Sequence, residues 1–229
     1  MNPNEEFRNY LDACPLIGII RGVTPDEIEA IGAAIFDAGI RIIEVPFNSP
    51  DPLESIGLIQ QAFGAQAAIG AGTVLDAASV EALAATGATV MVTPNTKPAV
   101  IARGVELGLD AMPGFATPSE AFSAIEAGAR RIKLFPAVAF GPSYLRAVRD
   151  VLPKHIGVWA VGGTGAENLG AWLDAGAEGI GVGGALYKPG DDPATVGERG
   201  RALVAAWQAA RPEARDALAC KVIMSEQIV

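Results

Sequence analysis

Few residues in this chain are equipped for covalent chemistry, and most of those can be set aside. The sequence holds one histidine, His155, and two cysteines, Cys14 and Cys220. The cysteines lie far apart, outside any CxxC or Cys/His spacing, which argues against a zinc site or a disulfide scaffold. A Ser-His or Cys-His pair would have to use His155, and that residue sits in PKHIG beside Pro153 and Lys154, the setting of a solvated loop. Acid–base and nucleophilic work therefore falls to carboxylates and lysines, and no metal or cofactor is expected.

Three charged side chains stand out because strand periodicity gives them a common face. In RIKLFPA, Ile132 and Leu134 share one side while Arg131, Lys133 and Phe135 share the other. In RIIEVPF, Ile43 and Val45 oppose Glu44, and in LIGIIRG the residues Ile17, Ile19 and Arg21 lie together. If the apolar pairs pack outward, Lys133, Glu44 and Arg21 converge inside. An unpaired buried charge costs several kcal/mol, so such a set demands an explanation. A desolvated lysine loses affinity for its proton and becomes an amine nucleophile near pH 7, able to condense with a ketone. A carboxylate beside it can shuttle protons, which completes the equipment of a Schiff-base aldolase. The competing reading is a structural Lys133–Glu44 ion pair.

The elements that must position these groups repeat along the chain. Apolar runs rich in Ile, Val and Gly occur at 16–22, 41–48, 67–74, 89–95, 110–117, 130–137, 157–164 and 179–186, with amphipathic stretches between them. Thr24, Pro25 and Glu27 form a capping-box pattern, and Gly39, Gly87, Gly108, Gly128 and Gly176 are placed as left-handed helix C-caps. Landmarks near the strand ends (Arg21, Glu44, Thr73, Asn95, Phe115, Lys133, Gly162 and Gly183) recur every ~23 residues, enough for one strand, one helix and two tight loops. Eight such α/β units predict a (β/α)8 TIM barrel, with an open doubly wound sheet as runner-up. The expected organisation is one domain over 1–229: a closing helix at about 3–13, the barrel at about 15–210 and a tail at 211–229. Lys133, Glu44 and Arg21 then lie at the strands' C-terminal ends, where barrel enzymes build active sites, and this favours chemistry over the structural pair.

Glycine pairs end the last two strands, in AVGGTG (160–165) ahead of a helix expected from Ala166, and in GVGGAL (181–186). Such backbones approach a ligand closely and offer N–H donors, so Gly162, Gly163, Gly183 and Gly184 are candidate phosphate-binding residues. The dinucleotide pattern GxGxxG is not met in GAGTVL or GVGGAL, and no P-loop lysine follows either glycine pair. The chain carries 17 Lys and Arg against 26 Asp and Glu, a formal charge of −9, which disfavours a nucleic-acid partner. Mean hydropathy is +0.31, yet no apolar run reaches the ~20 residues of a membrane span. The start MNPNEEFRNY lacks the layout of a signal peptide, so a cytoplasmic protein without membrane contact is expected.

The run GARRIKLFPAVAFG (128–141) resembles the Schiff-base lysine motif of the 2-keto-3-deoxy-6-phosphogluconate and 2-keto-3-deoxy-6-phosphogalactonate aldolases. IIEVPFNSP (42–50) resembles their acid/base glutamate motif, and IIRG, GAGTV, VTPN and AVGG match in order. The resemblance spans about residues 15–210. It implies Lys133 as nucleophile and Glu44 as proton shuttle, with Arg21 and Thr73 on the pyruvate portion and Pro94, Asn95 and Phe135 around it. Pro-Phe-Asn-Ser-Pro after the glutamate, and Val161 before Gly-Gly, are similar to the galactonate branch. The implied reaction is cleavage of 2-dehydro-3-deoxy-6-phosphogalactonate to pyruvate and D-glyceraldehyde 3-phosphate by a homotrimer that needs no metal. The alternatives are an aldolase for the gluconate epimer or for 4-hydroxy-2-oxoglutarate, a phosphosugar isomerase or synthase barrel, and a silent barrel that binds phosphorylated sugar acids.

Overall fold

The computed structural model describes residues 7, 9–11 and 13–211. Eight parallel strands follow one another around a closed barrel: β1 (Leu16–Ile19), β2 (Ile42–Pro46), β3 (Ala68–Gly72), β4 (Val90–Thr93), β5 (Asp110–Phe115), β6 (Arg131–Leu134), β7 (Gly157–Val161) and β8 (Gly179–Val182). Helices α1 (Ile28–Asp37), α2 (Pro52–Phe63), α3 (Ala77–Ala85), α4 (Pro98–Glu106), α5 (Pro118–Glu126), α6 (Gly141–Arg149), α7 (Leu169–Asp174) and α8 (Pro193–Ala210) follow the strands in turn. This is the predicted (β/α)8 barrel. Phe7 and Leu11, in the helical stretch ahead of β1, are buried in the inner apolar cluster. Residues 3–6, 8 and 12 of the expected helix and the tail beyond Arg211, with Cys220, lie outside the described residues.

Two apolar clusters divide the core along the strand faces. Ile43, Val45, Ile132 and Leu134 belong to the layer between sheet and helices, whereas Ile17 and Ile19 belong to the barrel interior. The alternation read from the sequence therefore holds on all three strands. Following the strand register around the barrel, which steps by one residue per strand, puts Glu44, Val92, Lys133 and Gly181 at one level. Below them lie Ile17, Gly70, Met112 and Trp159, and below those Ile42, Val90, Arg131 and Gly179. Each level sets large side chains against a glycine. A Cβ on Gly179 would stand 2.6 Å from the Trp159 ring.

The lower end is closed by charge as well as by apolar packing. Arg131 Nη1 donates to Asp110 at 2.8 Å and Nε to Glu178 at 3.3 Å, while Trp159 Nε1 donates to Glu178 at 2.9 Å. The Arg131 guanidinium also lies 4.7 Å from the centre of the Phe7 ring. Burial raises the Asp110 carboxyl, and the neighbouring Arg131 charge pulls it back.

Local boundaries differ from the sequence reading in three ways. The apolar runs overestimate strand length, because their polar and glycine ends belong to the loops above the barrel. Helix α1 begins at Ile28, behind a turn in which only half of the capping box forms: Glu27 Oε1 accepts from Thr24 N at 3.0 Å, but Thr24 Oγ1 donates to Asp26. Helix α7 begins at Leu169 rather than Ala166, because Asn168 folds 165–168 into a turn, its Oδ1 accepting from Gly165 N at 3.1 Å and its Nδ2 donating to Gly163 O at 2.8 Å. The five predicted C-cap glycines all adopt φ between 80° and 104°.

Candidate active site

At the strands' C-terminal ends lies a cavity of about 550 Å3. Arg21, Glu44, Thr73, Pro94, Lys133, Phe135, Val161 and both predicted glycine pairs line it. Asn95 does not. Alternation turns Pro94 inward and leaves Asn95 exposed beyond the strand, where its carbonyl accepts from the buried Thr93 hydroxyl. A larger hollow of about 1040 Å3 opens at the opposite end and takes in the exposed His155. Its Arg131 and Glu178 are already paired with each other, so it offers no comparable reactive set.

Lys133 and Glu44 are 5% and 3% exposed, on strands that face each other across the barrel. Among the described residues no ion pair joins them, and Glu44 Oε2 has no hydrogen-bond partner. A structural salt bridge is therefore a poor account of the two. Burial holds the Lys133 ammonium down to about 8, partly offset by the Glu44 charge and reinforced by Arg21. Burial raises Glu44 to about 7, against the opposing pull of Lys133 and Arg21. Each group thus exchanges its proton near neutrality. The Lys133 Nζ lies 4.8 Å from the centre of the Phe135 ring, an apolar neighbour that tolerates either protonation state.

The surrounding backbone makes room for this pair. A Cβ on Gly72 would lie 1.7 Å from Glu44 Oε2, so the carboxylate occupies space that only glycine leaves free. Thr73 follows with φ 58°, a left-handed conformation that is unfavourable for a β-branched residue and is found where a site imposes it. At the other wall Gly162 and Gly163 have φ 96° and 76°, and a Cβ on Gly163 would meet Val138 at 2.5 Å. Thr164 Oγ1 ties that loop to Gly181 O at 2.6 Å.

Sequence reasoning missed Thr164, Glu167, Tyr187 and Lys188, which also line the cavity. Tyr187 OH donates to Glu27 Oε1 at 2.8 Å, joining loops 160 residues apart in the chain. No periodicity marks such a pair. Thr164, directly after the glycine pair, was the one within reach.

An amine and a carboxylate of matched proton affinity, buried at the C-terminal end of a closed parallel barrel, define an α/β-barrel enzyme suited to carbonyl chemistry. More specifically, the chain belongs to the KDPG and KHG aldolase family, whose model matches residues 7–192. It is 48% identical over 196 residues to the 2-dehydro-3-deoxy-6-phosphogalactonate aldolase of Escherichia coli (strain K12), covering 86% of this chain and 96% of that one. A solved native KDPGal structure superposes with a TM-score of 0.85 at 48% identity, over 86% of this chain and 95% of the other. A cube-shaped cage designed by fusing symmetric oligomeric domains matches with a TM-score of 0.87 at 45% identity, over 93% of this chain and 79% of the cage chain.

Proposed function

We propose that this protein is a class I aldolase that cleaves 2-dehydro-3-deoxy-6-phosphogalactonate to pyruvate and D-glyceraldehyde 3-phosphate. The observation that carries the reading is the buried Lys133–Glu44 pair, unbonded to each other and opening into one cavity. Neutral Lys133 attacks the C2 ketone, and loss of water from the carbinolamine leaves an iminium. Glu44 takes the C4 hydroxyl proton, the C3–C4 bond breaks with its electron pair drawn toward the iminium, and the aldehyde departs. The remaining enamine receives a proton at C3 from Glu44, and water hydrolyses the imine to release pyruvate and Lys133.

In this reading Arg21 receives the substrate carboxylate, and Thr73, Pro94 and Phe135 surround the pyruvate portion. The backbone N–H groups of Gly162, Gly163, Gly183 and Gly184 receive the phosphate. Support for the galactonate epimer comes from the E. coli relative and from Val161, which offers no hydroxyl near C4. A homotrimer working in the cytoplasm completes the proposal. Its support is the family resemblance, the oligomeric origin of the cage and the exposed Leu75, Leu107 and Phe122 on the α3–α5 side. No helix among the described residues is long and apolar enough to cross a membrane.

Borohydride reduction in the presence of pyruvate tests the mechanism: wild-type protein should gain a stable adduct on Lys133, and Lys133→Ala should gain none. Full activity in Lys133→Ala would overturn the reading. Parallel cleavage assays on the two C4 epimers test the substrate.

A further inference from the structure

The turn after Glu44 does not itself line the cavity, yet it is bonded to a residue that does. Asn48 Oδ1 accepts a hydrogen bond from Arg21 Nη1. Its neighbour Ser49 is buried, and its Oγ accepts from Gly22 N at 2.9 Å. The turn is itself fixed: Ser49 N donates to Pro46 O at 2.9 Å, and Phe47 N donates to Gly72 O at 2.8 Å. Pro189 lies close to Gly22, where a Cβ would stand 2.6 Å from its Cγ. Arg21 is exposed at the cavity rim, and an exposed arginine side chain otherwise samples many rotamers.

We infer that Asn48 and Ser49 are positioning residues: they hold Arg21 at the rim, so that the turn after Glu44 acts on the substrate through Arg21 rather than by touching it. The inference deepens the proposed function, since it rests on Arg21 receiving the substrate carboxylate. Ser49 fixes the backbone beside Arg21 and Asn48 fixes the guanidinium, leaving its remaining donors aimed at a bidentate acceptor. A substrate carboxylate then meets a preset fork and does not have to order it.

Two measurements test this, one of them independent of turnover. Phenylglyoxal modification of Arg21, followed by peptide mass spectrometry, should be about fivefold faster in Asn48→Ala than in wild type, and Asn48→Asp, which keeps the acceptor, should restore the slow rate. In cleavage assays Asn48→Ala should raise KM about tenfold with kcat little changed, whereas in an Arg21→Met background the same change should leave KM within about twofold. Equal labelling rates in wild type and Asn48→Ala would overturn the brace, as would KM penalties that simply multiply. Protein that shows the labelling effect but cleaves no phosphorylated sugar acid keeps the brace and removes the proposed function. An active aldolase with unchanged labelling does the reverse.

Discussion

Lys133 and Glu44 exchange protons in adjoining pH ranges, and cleavage needs both of them unprotonated: the amine to attack, the carboxylate to accept the C4 hydroxyl proton. The rate should therefore climb from pH 6 to 9, with inflections near 7 and 8, in a profile of kcat/KM. Because the Glu44 charge raises the Lys133 pKa, Glu44→Gln should move pyruvate trapping toward lower pH while reducing C–C cleavage by at least about a hundredfold. The same shifts bear on stability with opposite signs. Glu44, raised in the folded chain, contributes stability that is lost as pH rises from about 4.5 to 7. Lys133, lowered in the folded chain, contributes stability that is gained as pH rises from about 8 to 10.5. The pair is thus least favourable to folding between these windows, so the double change Lys133→Met with Glu44→Leu should raise Tm by about 5 °C at pH 7.5, read by calorimetry. Discrimination between epimers belongs to this scale too. Val161→Thr places a hydroxyl at the cavity wall and should shift the kcat/KM ratio toward the gluconate epimer by about tenfold, with trapping on Lys133 intact.

Among the elements, β3 does the least visible work. Gly72 gives Glu44 its space, and Gly72→Ala should displace the carboxylate and lower kcat at least about a hundredfold while circular dichroism still reports a folded barrel. Nothing in GAGTV announced that contact, because it joins β2 to β3 and exists only once their register is set. What was legible followed from local rules. The alternation of RIKLFPA and RIIEVPF assigned both faces correctly, and the spacing of strand ends yielded eight units. Asn95 does not line the cavity because the alternation that turns Pro94 inward points its neighbour the other way, and Asn95 stands exposed beyond the end of β4. The start of α7 was misplaced because Asn168 closes a side-chain turn where helix propensity alone saw no obstacle.

Along the interior of the barrel, charge is confined to the two ends. Arg131 belongs to the lower cluster and Lys133 to the upper site, two residues apart on β6. Between them the level of Ile17, Gly70, Met112 and Trp159 carries no charge. Arg131→Met would leave Asp110 and Glu178 without their cation, and loss of a buried partner costs about 3–5 kcal/mol. Urea unfolding should show that loss, while the pH profile of cleavage stays in place. If the proposed trimer holds, sedimentation should report about three times the chain mass of 23.5 kDa.

The uncharged level around Trp159 is also a boundary for change over generations. A lineage can rework the loops above it, and with them the choice of sugar acid, without disturbing the ionic plug that keeps the barrel shut. Variation in substrate and retention of the scaffold become separable traits on a single strand. Engineering new aldol acceptors should accordingly leave everything from that level downward as it is.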